Sequence, residues 1–209
     1  MIDLFTWKTP NGRKVSIMLE ETGLPYTVKP IDISAGEQQP PAFLALSPNG
    51  KIPAIVDHAA AGGPLSIFES AAILVYLAEK SGRFLAPSGA ARYDALAWLS
   101  WQATGLGPMF GQLGFFMRQK ERNEGAMARY SAEAARLLKV LDARLRETPY
   151  LGGGEYSIAD ISTYPWVRGF LNLAKDALPE EVRSLEATGV WMDNIAARPA
   201  VAKGMAIPE

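Results

Sequence analysis

The spacing of apolar positions divides the chain into an alternating half and a helical half. Ile2 to Trp7 is a short run rich in strand-favouring residues, broken by Thr9-Pro10-Asn11-Gly12. Val15, Met18 and Leu19 then recur at helical spacing, with Gly23 placed to stop the helix. Tyr26 to Ile33 alternates β-branched and aromatic residues and predicts a second strand, parallel to the first. Residues 34–47 form a connection with a weak helical signal, interrupted by Pro40 and Pro41. Ile52 to Val56 and Leu65 to Phe68, joined through Ala59-Ala60-Ala61-Gly62-Gly63-Pro64, predict an antiparallel hairpin. Ser70 to Lys80 is helical, with Gly82 behind it. The order is β-α-β, a connection, then β-β-α.

From about Ala90 the strand signal ends. Residues 90–117 predict a long helix, kinked or broken near Gly105-Leu106-Gly107-Pro108, because a proline lacks the amide and crowds the preceding turn. Glu124 to Arg146 puts Tyr130, Leu137, Leu138, Leu141 and Leu145 on one face of an amphipathic helix. Ser157-Ile158-Ala159-Asp160 reads as a capping box, with Tyr156 set to pack on Ile161. Val182 to Glu186 and Val190 to Ala197 predict two shorter helices, the last ended by Arg198-Pro199. Leu85-Ala86-Pro87-Ser88-Gly89 is the natural linker. Two domains follow: an α/β domain over 1–84 and an all-helical domain over 90–209, with the linker 85–89 between them.

Composition narrows the chemistry. With 48% apolar and 21% charged residues, the 209-residue chain has the profile of a globular protein. Its 21 basic residues face 22 acidic ones, so no basic excess points to nucleic acid. Apolar runs such as Ala71 to Ala78 are too short to span a bilayer. Met1-Ile2-Asp3-Leu4 lacks the pattern of a secretory signal, and a cytoplasmic location is expected. There is no cysteine and a single histidine, His58, which excludes a disulfide framework and cysteine-based metal sites. Any sulfur chemistry has to arrive with the ligand.

In a sheet of this order the first, second and last strands run one way and the third runs against them. The end of the first strand (Thr9 to Asn11), the start of the third (Ile52-Pro53) and the end of the fourth (Glu69-Ser70) then meet at one edge, where open α/β sheets bind ligands. Each element has a plain reading and a functional one. Pro53 can mark a strand edge, since it cannot donate to the ladder; a cis bond would instead turn the Ile52 amide and carbonyl outward toward an extended peptide. Ser70 can be a helix cap, or its hydroxyl and the nearby amides can receive a ligand carboxylate with help from the helix dipole. Glu69 beside it suits an α-ammonium, and an amino-acid head group carries both charges. Thr9 before Pro10 is an ordinary helix entry, yet its hydroxyl and Asn11 lie where a bound thiol would point. Hydrogen bonds donated to a thiolate lower its pKa. Trp98, Trp101, Met109, Phe110, Phe115 and Phe116 suit either helical core or an apolar wall, and His58 reads as a hairpin surface residue.

Over essentially its whole length the chain resembles the glutathione transferase superfamily. The resemblance rests on the Asn49-Gly50-Lys51-Ile52-Pro53-Ala54 loop, the Phe68-Glu69-Ser70-Ala71-Ala72-Ile73 helix start and the Ser157–Asp160 capping box. Thr9-Pro10-Asn11-Gly12, Gln38 and Leu106-Gly107-Pro108-Met109 are similar to the bacterial Nu-class disulfide-bond oxidoreductases within it. That resemblance implies an α/β thioredoxin-like N-terminal domain plus an all-α C-terminal domain, in a homodimer that binds glutathione. It implies that Ile52, before a cis Pro53, pairs with the cysteinyl backbone, and that Glu69 and Ser70 hold the γ-glutamyl end. Gln38 and Lys51 would help at the glycyl end, Thr9 and Asn11 would face the sulfur as the catalytic pair, and Arg129 would reach across the dimer. The first tyrosine is Tyr26, well past the position where other members carry a catalytic hydroxyl. The implied chemistry is therefore exchange between ligand sulfurs, with two glutathiones or their disulfide bound. Conjugation of glutathione to an electrophile and a non-catalytic, glutathione-binding regulatory role stand as alternatives. A small disulfide or electrophile is the expected second substrate; metal, nucleic acid and membrane are not expected.

Overall fold

The computed structural model describes residues 1–174, 178–182 and 184–208. The chain forms two units, Met1–Pro87 together with Ala197–Glu209, and Ser88–Ala196.

In the first unit, strands β1 (Ile2–Thr6), β2 (Tyr26–Pro30), β3 (Ala54–Asp57) and β4 (Leu65–Phe68) form one sheet in the order β2-β1-β3-β4. β1 and β2 are parallel, while β3 runs antiparallel to both β1 and β4. Helix α1 (Pro10–Thr22) opens with Thr9 as cap and Pro10 in its first position, where a missing amide is no loss. It closes at Gly23, whose φ of +70° suits a residue without a Cβ. Helix α3 (Ser70–Ser81) follows β4 directly. Leu4, Ile17, Met18, Leu19, Ile55, Ile73, Leu74 and Leu77 are fully buried and make the core of this unit. The connection after β2 contains one helical turn, α2 (Pro41–Leu44), which brings Phe43 against Ile52 and Ala54, with Phe5, Trp7 and Ile31 packed around them.

The second unit begins with α4 (Gly89–Trp101). No break occurs near Pro108. A π-helical stretch, Gln102–Leu106, carries the helix into α5 (Gly107–Met117), the wider turn absorbing the proline without ending the helix. Buried Gln102 accepts a hydrogen bond from Ser162 at 2.5 Å. Helix α6 (Glu124–Glu147) is capped by Asn123, and α7 (Ile158–Ala174) by the capping box, in which Asp160 Oδ2 accepts from the Ser157 amide and hydroxyl, each at 3.0 Å. Of the two short helices expected, Val182 to Glu186 includes Arg183, which lies outside the described residues, and a 3₁₀ turn, Glu180–Val182, ends where it would begin; Val190 to Ala197 falls on one longer helix, α8 (Glu186–Ala196). The first turn of α8 is secured from α6, where Asp142 accepts the Thr188 amide at 3.0 Å and its hydroxyl at 3.1 Å.

The helix α8 ends at Ala196, just before Arg198-Pro199, and Pro199 then opens a further helix that the sequence pattern does not announce, α9 (Pro199–Ala206). The sequence assigned residues 90–209 to one helical domain, but α9 packs on α1. Ser16 donates to the Gly204 carbonyl at 2.7 Å, Arg198 grips Glu21 at 2.6 and 2.8 Å, and Lys203 meets Glu20 at 2.7 Å. A Cβ on Gly204 would lie 2.5 Å from the Ile17 α-carbon, so only glycine permits the approach. Among the described residues, no helix is long and apolar enough to cross a membrane.

Candidate functional site

Strand register gathers the three loops. Phe5 is opposite Ala54, and Ala54 is opposite Phe68, so one row closes the pairing of β1, β3 and β4 at this end. Thr9 to Asn11 follows that row on β1, Ile52-Pro53 precedes it on β3, and Glu69-Ser70 follows it on β4. The register places these seven residues at one end of the strands, although sixty positions lie between the first and the last.

The Ile52–Pro53 bond is cis. Both residues are buried, and the loop before them is set by Ser47, which donates to the Lys51 carbonyl at 2.8 Å. Gly50 makes the turn at φ +63°.

Thr9 is a cap, as its plain reading requires, and its Oγ1 accepts the Gly12 amide proton at 3.1 Å. Thr9 and Asn11 are half-buried at the mouth of α1. Gly12 is obligatory behind them, because a Cβ there would overlap Thr6 Oγ1 and the Trp7 carbonyl.

For Ser70 the plain reading fails. Ser70 is the first residue inside α3, and the cap position belongs to Glu69, which provides no side-chain bond to the first-turn amides. Those amides belong to the uncapped, positive end of a twelve-residue helix. Glu69 holds φ +67°, a conformation L-residues seldom adopt, and its exposed carboxylate accepts from Asn49 Nδ2 at 3.3 Å. Ser70 Oγ accepts from Lys14 Nζ, also at 3.3 Å. Burial pulls the Lys14 ammonium down to about 7, with the charge of Glu69 opposing that shift.

Gln38 lies in the connection after β2, half-buried, with its side-chain amide donating to the Ile33 carbonyl at 3.5 Å. Lys51 is exposed. Arg129 belongs to the second unit, exposed on α6, where its charge acts on Glu133 alongside Arg136. Of the predicted aromatic wall, Phe110 is core, stacked on Phe170 at 3.8 Å, whereas Phe115 is exposed. His58 is exposed and faces Asp3 at 3.1 Å. Sequence reasoning passed over Lys14 and gave Asn49 no role. Lys14 falls four positions before Met18 on the apolar face of α1, and a lysine on such a face is the signal that was available. Among the described residues, no group of three or more His, Cys, Asp or Glu side chains could hold a metal ion.

A thioredoxin-like sheet with a cis proline at its edge, joined to a helical second half, defines a glutathione transferase. Residues 9–80 match the family model for the glutathione S-transferase N-terminal domain, and residues 108–199 match that for the C-terminal domain. The chain belongs to the glutathione S-transferase family. It is 45% identical over 208 residues to the disulfide-bond oxidoreductase YfcG of Escherichia coli K12, covering 98% of this chain and 94% of that protein. It is also similar to the structure of a glutathione transferase from Pseudomonas putida with one glutathione disulfide bound per subunit (TM-score 0.95, 43% identity, 100% and 92% of the two chains). A Pseudomonas fluorescens family member with two glutathiones bound gives a TM-score of 0.94 at 44% identity, over 99% and 93% of the two chains.

Proposed function

We propose that this chain is a glutathione-dependent disulfide-bond oxidoreductase that works without a cysteine of its own. One glutathione thiolate attacks a sulfur of a small disulfide, forming a mixed disulfide and releasing one thiol. A second glutathione thiolate attacks the glutathionyl sulfur, forming glutathione disulfide and releasing the other thiol. Two glutathiones are oxidised, the substrate disulfide is reduced, and the two glutathione protons end on the product thiols. Thr9 and Asn11 stabilise the attacking thiolate, Ile52 beside Pro53 pairs with the cysteinyl backbone, and Glu69 and Ser70 hold the γ-glutamyl head. Gln38 and Lys51 serve the glycyl end. The protein's contribution is orientation and thiolate stabilisation.

The observation that carries this reading is the Phe5–Ala54–Phe68 row, which supports one continuous ligand edge built from three loops. The glutathione-bound Pseudomonas proteins and the named activity of the Escherichia coli relative support the same substrate and reaction. Zero cysteines in the chain leave the ligand as the source of sulfur. The reading includes a cytoplasmic homodimer in which Arg129 reaches the partner's site, to be measured by light scattering and by the glutathione affinity of Arg129→Ala. The deciding experiment compares turnover of 2-hydroxyethyl disulfide with that of chlorodinitrobenzene, both with glutathione. Disulfide reduction is expected to dominate. Dominant conjugation with negligible reduction overturns the oxidoreductase reading in favour of an ordinary transferase, and activity on neither leaves a binding role.

A further inference from the structure

Lys14 is an anomaly on α1. Val15, Ile17, Met18 and Leu19 on the same helix are fully buried, and Lys14 lies among them at 1% exposure. An ammonium taken out of water needs a partner. Its Nζ donates to Ser70 Oγ at 3.3 Å, and the carboxylate whose charge bears on it is Glu69. Other charges on the elements around α1 are engaged elsewhere. Asp3 of β1 faces His58, Asp57 of β3 faces Lys80 and Tyr76, and Glu20 and Glu21 of α1 hold Lys203 and Arg198 from the α9 side. Glu79 and Lys80 lie at the far end of α3, and Arg13 neighbours Lys14 on α1 itself.

An ammonium has donors only, whereas a serine hydroxyl has one proton and two lone pairs. When Lys14 is charged, Ser70 must accept from it, and the one Ser70 proton is left to be given to something else. A hydroxyl fixed in that sense selects an acceptor, and the uncapped helix end and the ammonium beside it favour an anionic one. Charge balance points the same way: Glu69 and an incoming carboxylate bring two negative charges, and the ligand's α-ammonium answers only one.

We propose that Lys14 is a positioning residue for the amino-acid head group of the bound peptide: it holds Ser70 as a donor to the head-group carboxylate and supplies the buried positive charge that lets this carboxylate sit beside Glu69. The proposal rests on the glutathione reading above and adds a linked proton to it. In the free protein burial holds Lys14 near 7, so a fraction is neutral at pH 7.5. An anion docked on Ser70 favours the charged form, so binding takes up a proton and affinity weakens as pH rises above 7.

The test uses S-methylglutathione, whose sulfur cannot ionise, and its counterpart lacking only the head-group carboxylate, S-methylated 4-aminobutyryl-cysteinylglycine. Each is titrated calorimetrically at pH 7.5 in two buffers of different ionisation enthalpy. The wild-type protein is expected to take up a fraction of a proton with S-methylglutathione and none with the decarboxylated probe. Lys14→Met is expected to abolish the uptake and to weaken S-methylglutathione binding about tenfold, the effect of one pKa unit, while leaving the decarboxylated probe unaffected. The wild-type comparison needs no variant to fold. Binding of S-methylglutathione without proton uptake, or equal uptake with both probes, overturns the role of Lys14 and leaves the glutathione reading standing. No binding of S-methylglutathione to the wild-type protein overturns that reading and the Lys14 proposal with it.

Discussion

Thr9 Oγ1 accepts the Gly12 amide proton at 3.1 Å, so the hydroxyl that caps α1 retains its own proton to give. Structural and chemical duties can therefore be separated by substitution. Thr9→Ala should lose both, at about 1 kcal/mol of stability. Thr9→Asp keeps an acceptor at the cap but sets a negative charge beside the sulfur, raising the thiol pKa. Its melting temperature should match the wild type while turnover of 2-hydroxyethyl disulfide falls about tenfold or more, as a shift of one pKa unit would give. Undiminished turnover in Thr9→Asp would remove Thr9 from the chemistry.

Glu69 keeps φ +67° although it is not glycine, a conformation that costs about 1–3 kcal/mol. Glu69→Gly should relieve that strain, offset in part by about 0.5–1 kcal/mol of added chain entropy. Urea titration is expected to show equal or higher stability, while glutathione affinity drops. Glu69→Gln, with the backbone strain retained, should lose the affinity without the gain. A glycine variant less stable than the glutamine one would contradict this account.

Asp57, at the end of β3, is fully buried. Burial resists its charge, but hydrogen bonds from Lys80 at 2.8 Å, Tyr76 at 2.6 Å and the Ala59 amide at 2.9 Å prevail and hold its carboxyl at about 2. The folded value lies below that of an unfolded aspartate, about 3.9, so the contribution is present above that pH and lost as pH falls toward 2. It amounts to about 2–3 kcal/mol. Asp57→Asn should flatten the acid limb of stability across this window, read from urea midpoints at pH 5 and pH 2.5.

Asp160 gathers four donors: the Leu151 amide, the Ser157 amide and hydroxyl, and Trp191 Nε1. Asp160→Ala leaves all four without their acceptor and should cost about 3–5 kcal/mol, the scale for removing one member of a buried charged network. Asp160→Asn retains one acceptor oxygen and should cost less. Trp191 is itself buried, so its fluorescence reports the transition in both variants.

What could be read in advance was whatever depends on short range or strict period. The Val15, Met18, Leu19 spacing and Gly23 mark α1, and the short apolar runs Ile52 to Val56 and Leu65 to Phe68, joined by a Gly- and Pro-containing turn, mark a hairpin whose register then aligns the loops. What escaped depends on partners far along the chain. The start of α8 is held by Asp142, forty-six positions before Thr188, and no local pattern announces it. Pro199 carries the same signal whether it ends one helix or opens the next; packing of α9 on α1 decides. The start of α3 at Ser70 is legible, but the cap is not: a hydroxyl before an apolar run suggests one, whereas Glu69, at positive φ and without a side-chain bond to the helix, holds that position. Lys14 was hidden by its type, since a lysine in a helix is ordinarily assumed to reach water.

The packing of α9 on α1 makes the first unit discontinuous in sequence. A ribosome that has finished β4 and α3 has not finished this unit, for the helix that covers Ser16 and Ile17 is encoded over a hundred residues later. At synthesis rates of about 5–20 residues per second, the wait is roughly 6–25 s. During that interval Glu20 and Glu21 lack their basic partners and the face of α1 that receives α9 stands open to water, so this unit reaches its final packing only after the whole helical unit between α3 and α9 has been made.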